Sequence, residues 1–436
     1  MNRAKLLSLI WRGGLFSAEN ITFYPVGRFI VRKRGMLSDD SAADIWGVTI
    51  EDTATGLKLS GDMKVDEYSS DWRKQNTIGN PEYDSVIFHL VEHRDTELIN
   101  FSRNIITIQI TPDPRLLEYA ERIPSFCVTH FSRLNDVERS EILSTLLDDR
   151  IRRKTDEILA LLRKCNGGWQ ETCYIHFTTV CGMPAKVKKE FEILARSLSY
   201  TTIENNRPYP PYIIAIFLGY AGLIPQADEK VDSYISELRH LWENYVLSNG
   251  DPKLDLKWQA SKHRPISTPT LWLVRAASLI GSNPDLFEEL LGAEDLKTVR
   301  SLLDISLPEY WHTHSTVYGA GVGQNEGRVS SSQIDILIIN FVIPMLFARS
   351  ADSNDDRYST RASRFYEEVT AENFQIFKRW ITPAWRPRTA FDSQGLLQLI
   401  TVFCTEKRCA ECPLFSNCLS GYHKFIESTD STTFIE

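Results

Sequence analysis

Leu57-Lys-Leu-Ser-Gly-Asp-Met-Lys-Val-Asp-Glu-Tyr68 decides the fold of the first part of this chain. Leu57, Leu59, Gly61, Met63 and Val65 alternate with Lys58, Ser60, Asp62, Lys64 and Asp66. A period of two is that of a β-strand, so one face is apolar and the other carries acids and a lysine. Five further runs have strand character: Ile21–Val26, Phe29–Lys33, Ile45–Ile50, Val86–Glu92 and Ile105–Ile110. Asp52-Thr-Ala-Thr-Gly56 and Gly79-Asn-Pro81 supply turn residues between them, and a short amphipathic helix, Ala4–Trp11, comes first.

From Asp136 onward the period changes to that of helices. Glu138–Lys164 sets Ile142, Leu146, Ile151, Ile158, Leu159 and Leu162 among charges. Lys186–Ser197, Pro211–Gly219, Asp228–Leu247, Thr270–Leu279, Leu286–Leu303, Gln333–Phe347 and Glu367–Trp380 also read as helices, with Asn249-Gly-Asp-Pro252 and Gly319–Gly327 as loops. Strands first and helices second predict an α+β protein. The predicted order is a mixed or antiparallel β-rich domain over 1–130, a helical domain over 131–400, and a cysteine-rich loop and tail over 401–436.

Composition narrows the function classes. The 436 residues are 42% apolar and 24% charged, as in an ordinary globular protein. The net charge of −8 repels nucleic acid as a whole, so any nucleic-acid contact needs a local basic face. The best candidate for a membrane span, Ile334–Phe347, contains Asp335, Asn340 and Pro344 and reads as too short, so no membrane association is expected. Cys127, Cys165, Cys173 and Cys181 lack a disulfide pattern, and a cytoplasmic protein is expected.

Two stretches carry chemistry. Asp44 stands ahead of Asp62-Met-Lys64 in a D-x17-D-x-K arrangement. Metal-dependent nucleases of the PD-(D/E)XK type look like this: the two acids hold Mg²⁺ and the lysine aligns or activates water. Strand periodicity places Asp62, Lys64 and Asp66 on one face. The alternative is a solvated polar strand face. Ser69-Ser-Asp71-Trp72 and Tyr83-Asp84 lie close by in sequence as a capped turn over a packed tryptophan or as positioning groups, and His89 reads as a satisfied strand residue.

The second stretch is Cys404-x4-Cys409-x2-Cys412-x5-Cys418. Four thiolates so close surround one tetrahedral zinc or one [4Fe–4S] cluster and leave no open position, which makes the site structural or redox-sensing. Just before it, Arg379, Trp380, Trp385, Arg386 and Arg388 form a basic aromatic segment. Arg379, Arg386 and Arg388 would meet phosphate and Trp385 would stack, or else the arginines stack on the tryptophans. Cys173-x2-His176-x4-Cys181 reads as core packing, and Tyr310-Trp-His-Thr-His314 as an aromatic junction or a base-stacking group. Gly319-Ala-Gly-Val-Gly323 follows no strand of a βαβ unit and is not a dinucleotide site.

In order along the chain, Leu9-Ile-Trp11, Ser69-Ser-Asp-Trp72, Pro81-Glu-Tyr-Asp-Ser-Val86, Phe191–Ser197, Tyr310–His314, Ile338-Ile-Asn340 with Pro344, Ser393-Gln-Gly-Leu-Leu397 and Cys404–Cys412 resemble an uncharacterised bacterial family, domain of unknown function 2851. The resemblance brings no activity with it. It implies Gly-Pro-Asp-Phe near Asp44, where this chain has Ala42-Ala-Asp-Ile45, and Val-Glu-Ile-His where it has Met63-Lys-Val-Asp66, so a site there is altered in this copy. The cysteine loop is similar to the iron–sulfur loop of endonuclease-III-like DNA glycosylases. The x2 and x5 gaps and Cys412-Pro-Leu match, the first gap is shorter, and no catalytic helix–hairpin–helix accompanies it.

Two expectations follow. One is a nucleic-acid-associated iron–sulfur protein with a nuclease-like N-terminal domain, active or degenerate, using Asp44 and Asp62 for metal and Lys64 for water. The other is a binding or scaffold protein whose cluster or zinc only holds its C-terminus together.

Overall fold

The structure is a computed structural model of the chain. It describes residues 3–16, 19–37, 43–74, 80–97, 105–112, 127–184, 186–207, 209–226, 229, 231–252, 254, 256–258, 268–318, 327–406, 408 and 412–414. The fold is α+β, as the sequence predicts: a curled mixed sheet followed by a mostly helical region. The chain divides into two compact units, one of Met1–Leu146, Phe374–Arg386 and Gly395–Glu436, the other of Leu147–Asn373 and Pro387–Gln394.

In the first unit the six expected strands all form: β1 (Ile21–Tyr24), β2 (Phe29–Leu37), β3 (Ile45–Asp52), β4 (Lys58–Tyr68), β5 (Val86–His93) and β6 (Ile106–Ile110). Their order in the sheet is β1-β6-β5-β4-β3-β2. β2, β3 and β4 make an antiparallel meander, β4–β5 and β5–β6 pair parallel, and β1 closes antiparallel on β6. The helix α1 (Arg3–Gly13) lays Leu6, Leu7, Ile10 and Trp11 on the apolar face, against Ile45, Val48, Met63, Val65, Phe88, Leu90 and Ile108. Trp11 is fully buried and its indole N–H donates to the Arg34 carbonyl at 3.0 Å. Burial of this kind contributes roughly 1.5–3 kcal/mol per large apolar side chain. Gly35 has φ +73°, and a Cβ there would sit 2.2 Å from the Trp46 carbonyl oxygen, so this crossing of β2 and β3 requires glycine.

Between β4 and β5 the chain forms a short helix, α2 (Asp71–Lys74), which buries Trp72. The alternation read from Leu57–Tyr68 places Met63 and Val65 in the apolar core and leaves Lys64 and Asp66 for the other face.

The second unit is helical. Its elements are the long α3 (Asp136–Lys164), within which the division between units falls, α4 (Trp169–Cys181), α5 (Lys188–Ser197), α6 (Tyr200–Asn206), α7 (Pro210–Tyr220), α8 (Ser233–Asn249), α9 (Pro269–Ser282), α10 (Leu286–Gly292) and α11 (Leu296–Leu303). A helical run over Ser331–Ser353, α12, is followed by α13 (Asp356–Glu368) and α14 (Ala390–Gln398). One apolar core, with Trp272, Trp311, Phe177 and Phe341 at its centre, holds them together.

Three helix readings need correction. Leu286–Leu303 is two helices, because Asp295 caps the second, its carboxylate accepting the Thr298 N–H at 2.8 Å. Glu367–Trp380 is not a helix: α13 ends at Glu368, β-branched Val369 turns extended, Thr370 bridges to Thr389, and Gln375–Trp380 forms only a 3₁₀ turn. The run around Ile334–Phe347 is longer than it reads. At 23 residues α12 has the length and hydropathy of a membrane span, with 67% of that window buried in the protein core. Within it Ile338–Val342 is a π-helical turn.

Candidate functional site

The polar face of β4 and β5 gathers Asp44, Lys64, Asp66 and His89. Asp44 stands just ahead of β3, where its N–H donates to the Met63 carbonyl at 3.0 Å. Its carboxylate Oδ2 accepts the Val65 N–H at 2.8 Å and meets the Lys64 ammonium at 3.0 Å. Backbone on both sides therefore fixes the carboxylate over the lysine. Burial works against the Lys64 charge, but Asp44, by charge and hydrogen bond, and Asp66, by charge, outweigh it and hold the ammonium above its ordinary value.

Lys64 and His89 are register partners across the parallel β4–β5 pair. His89 is fully buried, and its Nε2 lies 2.9 Å from Asp66 Oδ2. The carboxylate accepts, so Nε2 carries the proton and Nδ1 is left as an acceptor; Nδ1 has no hydrogen-bond partner. Trp72 packs on the imidazole at 5.0 Å and edge-on to Tyr83 at 6.1 Å. The turn beneath is tied by Ser69, which is fully buried, donates to Asp95 at 2.9 Å and accepts the Thr96 N–H at 2.9 Å. Hydrogen bonds from Ser70 and Ser69 hold Asp95 down at about 2.

Of the three residues read as catalytic, the structure brings Asp44 and Lys64 together. Asp62 points its Oδ1 at the Gly47 N–H, 3.0 Å away. The acids do not fit a Mg²⁺ site as they stand. Both have backbone N–H donors, Asp44 has the lysine as well, and among the described residues no three of His, Cys, Asp and Glu group to hold an ion. The sequence reading did not join His89 to Asp66; the alternation of Val86–Glu92 beside Leu57–Tyr68 was the available signal, and only the parallel pairing brings the two together.

At the other end of the first unit, Trp385 packs edge-on to Phe131 at 4.9 Å, with the Arg139 guanidinium 5.5 Å from its ring. Trp380 is buried against the same Phe131 at 5.5 Å. Arg379 and Arg386 are exposed. Arg388, in the second unit, is exposed too, and its backbone N–H is held by Asp392 at 2.8 Å.

Of the cysteine set, Cys404 and Cys412 are described, while Cys409 and Cys418 lie outside the described residues. Cys404 ends a π-helical turn, Leu399–Cys404. Burial pushes its thiol up to about 11 against the pull of Arg379, and Cys127 adds to the rise. Cys127, read from sequence as separate, is thus a neighbour of this site. Cys412 Sγ accepts the Leu414 N–H at 3.4 Å.

The remaining candidates are packing groups. Burial pushes Cys173 up to about 12, and His176 is pushed down to about 3 by burial and the charges of Lys154 and Lys188 while its Nε2 donates to the Asn340 carbonyl at 3.2 Å. Tyr310 and His314 stack on each other at 4.0 Å beside the buried Trp311. Of the glycine-rich loop, residues 319–326 lie outside the described residues.

A mixed six-stranded sheet with an acid–lysine–histidine face, followed by a helical region, defines an α+β protein built on one polar strand pair. The chain belongs to the family described as protein of unknown function (DUF2851), which matches residues 4–375. No curated protein and no solved structure matches it.

Proposed function

We propose that this is a nucleic-acid-associated protein whose N-terminal unit is nuclease-like in layout and degenerate in chemistry. The observation that carries this reading is the 3.0 Å pair between Asp44, just ahead of β3, and Lys64 on β4. The nuclease resemblance needs an acid and a lysine side by side, and the residue before β3 and the polar face of β4 supply them. The family resemblance implies a glutamate where this chain has Lys64 and a histidine where it has Asp66. With lysine there, an ammonium, not a divalent ion, neutralises Asp44. His89 then satisfies Asp66. No hydrolytic step is assigned to the site, because its acids are already engaged.

The exposed Arg379 and Arg386 beside Trp385 support phosphate contact. Cys404, Cys409, Cys412 and Cys418 would hold a [4Fe–4S] cluster, with zinc as the alternative. Arg379 lies near Cys404 and would offset part of the negative charge of such a group. The group would clamp the C-terminus and supply no open coordination position.

Cleavage is tested with wild type, Asp62→Ala and Lys64→Ala in Mg²⁺ on single- and double-stranded DNA. Background cleavage in all three is expected; Mg²⁺-dependent cleavage by wild type that the variants lose would overturn the degenerate reading. Binding is tested by its salt slope, which is expected to flatten by about one for each phosphate-contacting arginine removed. A flat wild-type slope would remove nucleic acid as partner. The visible spectrum with iron, sulfide and zinc counts decides the cluster, and a colourless zinc-loaded protein would replace iron–sulfur with zinc.

A further inference from the structure

The helical unit holds a second polar cluster, built from four segments far apart in sequence. α3 presents Arg150 and Lys154, four residues apart and so on one helix face. The π turn of α12 presents Asn340, the segment after α13 presents Glu372, and α14 presents Ser393 and Gln394. Lys154 Nζ donates to Asn340 Oδ1 at 3.2 Å, and Arg150 Nε donates to Gln394 Oε1 at 2.7 Å. The amide nitrogens of Gln394 and Asn340 both donate to Glu372, the latter at 3.5 Å, and the Glu372 N–H donates to Ser393 Oγ at 3.4 Å. Asn340, Ser393 and Gln394 are buried.

This wiring leaves a surplus. Two neutral amides make the side-chain hydrogen bonds to the one carboxylate, which reaches Arg150 and Lys154 only through space, and among the described residues neither cation makes an ion pair. Arg150 bonds through Nε, and among the described residues no hydrogen bond engages the Nη edge of its fork. The surrounding charges are felt in the same sense. Burial lowers Lys154 most, Arg150, Arg153 and Lys188 lower it further, and Glu372 opposes them. Two desolvated cations that share one carboxylate leave a net positive charge, which an added anion would neutralise. The third observation is Tyr366. It is 1% exposed, it lies in the field of both Arg150 and Glu372, and its hydroxyl has no hydrogen-bond partner. A buried hydroxyl left unpaired is costly to the fold. The fourth is the π turn carrying Asn340, a distortion that recurs at functional sites.

We propose that this cluster is an oxyanion site that takes a phosphate group between the Nη edge of Arg150, the Lys154 ammonium and the Tyr366 hydroxyl. The planar guanidinium offers paired donors matched to phosphate oxygens, the ammonium adds charge, and the phenol adds a neutral donor. Gln394 and Asn340 hold the two cations in place, and Glu372 in turn orients the amides. The source is either free phosphate or a nucleotide.

The test is calorimetric titration of the full chain with inorganic phosphate, a nucleoside monophosphate and, as control, acetate at matched ionic strength, repeated on Lys154→Met and Tyr366→Phe. Saturable phosphate or nucleotide binding is expected, with acetate at least tenfold weaker. Lys154→Met is expected to weaken it about tenfold or more, in line with a lost charge-assisted bond, and Tyr366→Phe about fivefold. Tighter binding of the monophosphate than of inorganic phosphate would identify a nucleotide as the source. Without ligand, both variants should melt at or above the wild-type temperature, because one removes a desolvated charge held only by a neutral amide and the other an unpaired hydroxyl. No saturable binding by wild type, acetate binding as tight as phosphate, equal binding by all three proteins, or unliganded variants that melt well below wild type would each overturn the proposal. The Mg²⁺ cleavage assay on Asp62 and Lys64 variants reads the other unit, so either idea can fail alone.

Discussion

Lys64 and Lys154 are both lysines withdrawn from water, and they end in opposite electrostatic states. Lys64 lies in the sheet with Asp44 at 3.0 Å and Asp66 nearby, and its proton is held more tightly than in water. Lys154 lies among helices with a neutral amide at hydrogen-bond distance, and burial, joined by Arg150, Arg153 and Lys188 against the pull of Glu372, brings its pKa down to about 7. The difference lies in where the counter-charge sits. In the sheet the carboxylate is aimed at the ammonium, so the charge is part of the fold. In the helical unit the one carboxylate is hydrogen-bonded to amides and shared at a distance by two cations, so a net positive charge remains.

The sharpest way to break that contrast is to remove the partner of Lys64. Asp44→Asn leaves an ammonium with 11% side-chain exposure facing an uncharged amide. Breaking a buried pair costs about 3–5 kcal/mol, and because the Asp44 side chain is 37% exposed we expect about 2 kcal/mol here. Urea unfolding would measure it. In a Lys64→Met background the same change should cost less than half as much; an undiminished cost would mean the pair is not what holds Asp44 in place.

Lys154→Met should act with the opposite sign, raising stability by about 1 kcal/mol near neutral pH because an unpaired desolvated charge is replaced by an apolar side chain. A loss of 1 kcal/mol or more would make Lys154 a structural cation and erase the contrast.

pH separates the two lysines further. For Lys154 the folded pKa is lowered, so between about 7 and the ordinary lysine value the unfolded chain binds more protons than the folded one. Its contribution to stability therefore improves as pH rises across that window. For Lys64 the folded pKa is raised, so its contribution is full below the ordinary lysine value and is lost as pH climbs through the folded one. Melting followed from pH 7 to 10 should show an upward term in wild type that Lys154→Met lacks and Lys64→Met keeps. Identical slopes in all three would refute the assignment.

The contrast also marks what was readable from sequence. The sheet was, because strand periodicity is local: Met63 and Val65 alternate with Lys64 and Asp66, and β3 follows Asp44 at once, so one hairpin brings the acid to the lysine. The register of β4 against β5 is set by a parallel crossover, and that hid the Asp66–His89 pair. The helical cluster was out of reach for a different reason. Arg150 and Gln394 are 244 positions apart, and Asn340 sits inside an apolar run that reads as core. Two of the segments that carry the family resemblance, Ile338-Ile-Asn340 and Ser393-Gln394, meet there, which the sequence order could not show. The cysteine loop is proposed as a ligand set from its spacing alone, while the approach of Cys127 to Cys404 needed the fold.

The smallest expected effect is the most specific to the helical site. Tyr366→Phe removes one oxygen from a ring that is otherwise fully packed, and that oxygen has no partner to lose. A buried tyrosine that donates a hydrogen bond typically loses about 1 kcal/mol when its hydroxyl is deleted. Here the loss should be absent, with stability unchanged within about 0.5 kcal/mol or slightly higher, by the same reasoning that predicts a gain for Lys154→Met. Denaturant midpoints at equal m-values measure it. A clear loss in phosphate-free buffer would mean that the hydroxyl has a partner in solution, such as an ordered water, and would take away the strongest sign that the helical cluster is incomplete without a ligand.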